Sequence, residues 1–197
     1  VRFIAPALIA ITVMNSSFFE NTYASFVRMY YHKTFDAMMA TPLTVEEIIT
    51  GEIIWGATKA VIATAIMMAV ISCFGLIQYP EGLLLLPLAF LGGLAFGAAG
   101  MVCTAVTPNI ELFNLPVFLF ITPMFLFGGT FFPIENLPLW AQKTALLLPL
   151  THLVDLARAF ANGRIDATVL PGIAYLAAFS AAAFPLAIRK MRRRLIK

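Results

Sequence analysis

Only 12% of the residues are charged, and those whose types could do chemistry fall into a few groups. Arg28, His32 and Asp36 stand at i, i+4 and i+8 with Lys33 beside them. On a helix that spacing puts three of them along one face, where they can pair with each other or offer a charged surface to a partner. Glu46 and Glu47 follow Thr41-Pro42, and Thr44 with Glu47 three residues later forms a capping-box pattern that starts a helix. The two carboxylates suit a helix N-terminus as well as they suit a docking surface. His152, Asp155 and Arg158 stand at i, i+3 and i+6, within reach of an ion pair and a hydrogen bond on one face of a short helix.

These groups give little support to catalysis. One His and one Asp are too few to hold a metal. The chain has two histidines, neither in a His-Glu-x-x-His motif nor beside an obvious nucleophile. It has no Gly-x-x-x-x-Gly-Lys-[Ser/Thr] loop to cradle nucleotide phosphates, so no cofactor is expected here. The net charge of +3 comes from a C-terminal cluster, Arg189, Lys190, Arg192, Arg193, Arg194 and Lys197, next to an apolar run. That placement reads as a topology signal and a contact with anionic membrane lipids, and not as the folded basic face that nucleic acid requires.

The elements that must position these residues follow from composition. With 61% hydrophobic residues and a mean hydropathy of +0.91, the chain lacks the polar shell of a soluble domain, and its surplus apolar surface must face lipid. Spans of about 20 apolar residues are expected near 3–19, 53–77, 83–106, 112–132 and 169–188. The continuous runs exclude a barrel, whose strands would alternate. The expected fold is all-α, a polytopic membrane helix bundle. Cys73 and Cys103 lie within apolar segments and read as small core hydrophobes.

The basic cluster at 189–197 places the C-terminus in the cytoplasm. Counting back leaves Val1 outside, which one further span upstream would repair. Residues 20–43 then form a cytoplasmic segment, with Val27, Tyr30, Tyr31 and Phe35 supplying the apolar side of a surface helix. Lys59 would cost on the order of 3 kcal/mol at the bilayer centre and is expected to snorkel instead. Ala89, Gly93 and Gly97 repeat every four residues and allow close helix contact. Phe127-Gly128-Gly129 and Pro133 turn the chain, so 133–166 reads as two short external or re-entrant helices packed on the bundle.

Several of these stretches resemble a known family. Phe131-Phe132-Pro133-Ile134-Glu135-Asn136-Leu137-Pro138-Leu139-Trp140, Leu148-Pro149-Leu150-Thr151-His152 and Asp155-Leu156-Ala157-Arg158 are similar to ABC-2 type transporter permeases. The segments Met14-Asn15-Ser16-Ser17-Phe18-Phe19-Glu20 and 34–43 resemble the branch of nodulation lipo-oligosaccharide and antibiotic exporter permeases. Family members carry an amphipathic helix and a first span ahead of the point where this chain starts, in line with about six spans in the whole protein.

The resemblance implies an exporter subunit of the bacterial inner membrane, working as a homodimer with two cytoplasmic ABC ATPase subunits that hold the ATP and Mg. Its cargo would be amphipathic: a lipo-oligosaccharide, a polysaccharide-lipid or a hydrophobic drug. It also implies that Arg28, His32, Lys33, Asp36, Glu46 and Glu47 couple to the ATPase. Phe131, Phe132, Pro133, Glu135, His152, Asp155 and Arg158 would form an external gate. A solvated helix face and a structural polar network are the plainer readings of these two sets. A gradient-driven transporter is the principal rival, but it calls for ionisable pairs at mid-membrane, which the span centres lack. A non-transporting scaffold is the other.

Overall fold

A computed structural model describes residues 3–136, 138–163, 166 and 169–196, except for the side chain of Glu135. Leu137 and Lys197, both named above, lie outside the described residues. Helix α1 (Ile4–Phe19) continues through a π turn, Glu20–Ala24, into α2 (Ser25–Tyr30). After α3 (Thr34–Met39), the long α4 (Val45–Cys73) crosses the molecule. A 3-10 turn, Glu81–Leu84, leads into α5 (Leu85–Val106). The next crossing, Ile110–Phe127, is irregular: α6 (Asn114–Pro116) and α7 (Thr122–Phe127) flank a second π turn, Val117–Ile121. Two short helices, α8 (Leu139–Ala145) and α9 (Pro149–Ala161), precede α10 (Val169–Leu195). No strand occurs among the described residues.

The four later expected spans are helices long and apolar enough to cross a membrane: Val45–Cys73, Glu81–Val106, Ile110–Phe127 and Val169–Leu195. The first expected window forms α1, which is only 16 residues long and sits inside the bundle against α4, α5 and α9. Ala7, Val13, Met14 and Phe18 on α1 are at most 1% exposed. Helix α5 is the other central element, with 56% of its apolar window buried, whereas the irregular span has 17% and faces outward. That span ends at Phe127, five residues before the expected limit, because Gly129 at φ 67° turns the chain.

The molecule has two distinct ends. The basic end gathers residues 20–45, the 107–113 turn and the last turns of α10. A core of Phe26, Phe35, Ile49, Met101, Phe113 and Met191 forms there. Phe26, Phe35 and Phe113 are at most 1% exposed, and burying each stabilises by about 1.5–3 kcal/mol. The surface segment is therefore clamped to α4, α5 and α10. At the far end Arg158 reaches Phe3, and Gln78 N donates to Ala161 O at 2.9 Å. Helices α8 and α9 meet at 82°. Trp140 lies 5.9 Å from Phe127 and Ala161 lies beside Gln78, so the pair enters and leaves at the same end, as a re-entrant element does.

Two local expectations change. The surface helix through Arg28, His32 and Asp36 is broken at Tyr31–Lys33, where Lys33 adopts a left-handed φ of 54°, so the three residues do not share one helix. Cys73 is exposed at the end of α4 and is not a core residue, whereas Cys103 is half-buried and packs against the core; both are free. A lipid-facing helix surface is as apolar as a core, so hydropathy alone does not separate the two.

Candidate functional site

Arg28 and Lys59 lie with Glu20 and Glu52 in a compact charge cluster at the basic end. Arg28 donates from Nη1 to Glu20 Oε1 at 2.8 Å, and from Nε and Nη2 to Glu52 at 3.1 and 2.5 Å. Lys59 Nζ donates to Glu20 Oε2 at 2.8 Å and sits 5.4 Å from the Trp55 ring centre. Ser25 Oγ donates to Glu52 Oε2. The Glu20 and Glu52 side chains are 9% and 10% exposed, whereas Arg28 is 25% and Lys59 42% exposed. Burial opposes the charge on Glu20, but the hydrogen bonds from Lys59 and Arg28 outweigh it and hold the carboxyl below its ordinary range. The cluster ties three elements together: the π turn, α2 and α4.

The other residues expected to couple are exposed. His32, Lys33 and Asp36 stand out around the break between α2 and α3, with Lys33 and Asp36 3.8 Å apart. Glu47 accepts from Thr44 N at 2.7 Å while Thr44 Oγ1 accepts from Glu47 N at 3.3 Å, completing the capping box of α4. Glu46 is bound to Arg192 of α10 at 3.3 Å. Beside that ion pair a notch of about 510 Å³ opens between Met39, Leu43 and Ile196. Arg194 turns inward and donates to the Thr104 and Thr107 carbonyls, the latter at 2.7 Å.

At the far end Arg158 organises the turn after the irregular span. It donates to Gly129 O at 2.5 Å, lies 3.7 Å above the Phe3 ring and faces Asp155 at 3.7 Å. His152 is drawn elsewhere: its ring lies on Tyr175 with centres 4.1 Å apart, and Nε2 donates to Leu146 O at 2.9 Å. Among the described residues His152 therefore stands apart from the Asp155–Arg158 pair. Phe131 packs edge-on against Phe125, while Phe132 and Pro133 are exposed.

Gly93 and Gly97 sit at helix crossings. A Cβ on Gly93 would come within 2.7 Å of Ala57 Cα, and one on Gly97 within 2.7 Å of Ser17 Oγ. Ser17 Oγ donates to Gly93 O at 2.5 Å, and Thr104 Oγ1 to Asn21 O at 2.7 Å, so hydrogen bonds hold α1 and the π turn after it to α5 where the glycines let them approach. Sequence reasoning missed Glu20, Glu52, Ser17 and Asn21. A signal was present: Glu52 and Lys59 are seven apart, on one face of α4, and Ser17 and Asn21 are four apart at the end of an apolar run. Among the described residues no three potential ligands converge on a metal position.

The family model for the ABC-2 type transporter matches residues 1–161. Nodulation protein J of Sinorhizobium fredii is 36% identical over 196 residues, covering 100% of this chain and 75% of that protein. Nodulation protein J of Rhizobium leguminosarum bv. viciae is 37% identical over 195 residues, 99% of this chain and 75% of the relative. The probable multidrug ABC transporter permease YbhR of Escherichia coli is 25% identical over 157 residues, 79% of this chain and 42% of its own length. No solved structure matches. A family match over most of the chain, relatives aligned along all of it, and a bundle of membrane-crossing helices lead to one conclusion: the chain belongs to the ABC-2 type transporter family, as a membrane-spanning permease.

Proposed function

We propose that the chain is the membrane subunit of an ATP-driven exporter in a bacterial inner membrane, with its basic end in the cytoplasm. Two copies form the translocating unit and two separate ATPase subunits, holding ATP and Mg, dock on residues 20–43 and the notch beside Glu46 and Arg192. The cargo is an amphipathic molecule: a lipo-oligosaccharide, a polysaccharide-lipid or a hydrophobic drug. The observation that carries this reading is the alignment with nodulation protein J along the whole chain. The clustering of Arg189, Lys190, Arg192 and Arg193 at one end supports the orientation.

In this reading Arg28 is the internal joint and Asp36 belongs to the outward contact. Residues 128–163 shape the exit. Purification of the tagged chain in mild detergent is expected to bring an ATP-hydrolysing partner in equal amount, and inverted vesicles are expected to show ATP-dependent uptake of cargo. Recovery without a partner, or uptake driven by an ion gradient alone, would overturn the proposal. Asp36→Asn with Glu47→Gln keeps a residue competent for the capping box at position 47. It should uncouple hydrolysis from uptake, and unchanged uptake with normal assembly would remove both residues from the coupling surface.

A further inference from the structure

The outward-facing side of the bundle contains an apolar groove with a cationic rim. Because the irregular span is the least buried, a cavity of about 470 Å³ is left between it, α5 and α10. Leu119 on the irregular span, Val102 and Cys103 on α5, and Phe179, Ala182 and Leu186 on α10 line its walls. Leu119 is 82% exposed and Ala182 and Leu186 are exposed, so the groove opens sideways, toward lipid in a membrane. The lining residues lie in the last turns of α5, toward the basic end, and around the middle of α10 and of the irregular span.

The groove does not end in neutral surface. Lys190 and Arg193 stand four and seven residues beyond Leu186, continuing the same stripe of α10 past the apolar run. Both are exposed, and neither has a bond or ion-pair partner among the described residues. Their neighbours are engaged: Arg192 with Glu46 and Arg194 with the Thr104 and Thr107 carbonyls. At 27 residues α10 is about 40 Å long, roughly 10 Å more than the hydrocarbon layer, so these two cations reach the headgroup level.

We propose that this groove and rim bind one anionic glycerophospholipid from the leaflet at the basic end, with an acyl chain in the groove and the phosphate under Lys190 and Arg193. Charge complementarity selects the occupant, since a neutral lipid would fill the groove but leave both cations without a counter-ion. The cavity is within the size range of small-molecule sites, roughly 300–1,000 Å³. The site does not depend on an ATPase or on the transported cargo.

Native mass spectrometry of the full chain released from nanodiscs of mixed phosphatidylglycerol and phosphatidylcholine tests it. Two cations at the headgroup level should give roughly a thirtyfold preference for the anionic lipid. Lys190→Gln with Arg193→Gln should bring the preference close to one without loss of folded protein. Ala182→Phe, at an exposed position, should reduce retention of both lipids. Equal retention of the two lipids by the unaltered chain would overturn the proposal, as would a preference surviving the double substitution. Equal protection against heating by soluble glycerol phosphate would make this a free-anion site and also overturn it. So would an Ala182→Phe chain that loses self-association while keeping its lipid, which would assign the groove to a second copy.

Discussion

Replacing Arg28 by Met removes the centre of the basic-end cluster while keeping most of the side-chain volume. The two carboxylates then differ in what remains to them. Glu20 keeps Lys59 at 2.8 Å, but among the described residues Glu52 is left with only Ser25, at 10% side-chain exposure. Breaking a buried ion pair costs on the order of 3–5 kcal/mol, and the partial exposure of Arg28 lowers this to about 2–4 kcal/mol. For a chain of this size that is roughly a 4–16 °C fall in apparent melting temperature. Size-exclusion chromatography of detergent-solubilised protein after heating, at one fixed heating rate, reads it. A second substitution then separates the carboxylates. Glu52→Gln in the Arg28→Met background should recover at least half the loss, because the stranded charge is gone. Glu20→Gln in that background should recover little, because it takes from Lys59 its partner. A fall of under about 1 °C for Arg28→Met, or equal recovery by the two second substitutions, would refute the cluster as an energetic joint.

Further expectations concern single positions. Gly93→Ala forces α4 and α5 apart at Ala57 and should cost about 1–3 kcal/mol, whereas Gly51→Ala, with nothing within 4 Å of the new methyl, should gain up to about 1 kcal/mol; the same heating assay compares them. Lys33→Gly relieves the left-handed conformation at φ 54° and should raise stability by up to about 1 kcal/mol, while Lys33→Val should lower it. The depressed carboxyl of Glu20 adds stability that is full above its ordinary value of 4.5 and is lost as pH falls through the lower folded value. Heating profiles of the native chain and Glu20→Gln should therefore differ at pH 7 and converge under acid conditions.

Much of this protein is legible in sequence because lipid imposes a simple rule: a backbone without water must hydrogen-bond to itself, so apolar runs of sufficient length are helices. The four long spans, the Thr44–Glu47 start of α4 and the turn at Gly128-Gly129 follow from local pattern, as does the family resemblance carried by residues 131–158. What hydropathy does not encode is which side of an apolar helix meets lipid and which meets protein, since both are apolar. Only the tertiary structure put α1 at the bundle centre, left the span at 110–127 outward, and placed Cys73 at the surface. Charge pairing across the bundle is equally silent in sequence. Glu20, Arg28 and the Glu52–Lys59 pair come from three elements, the π turn, α2 and α4, and burial turns four charges that read as isolated into one joint, because in a low dielectric each needs the others.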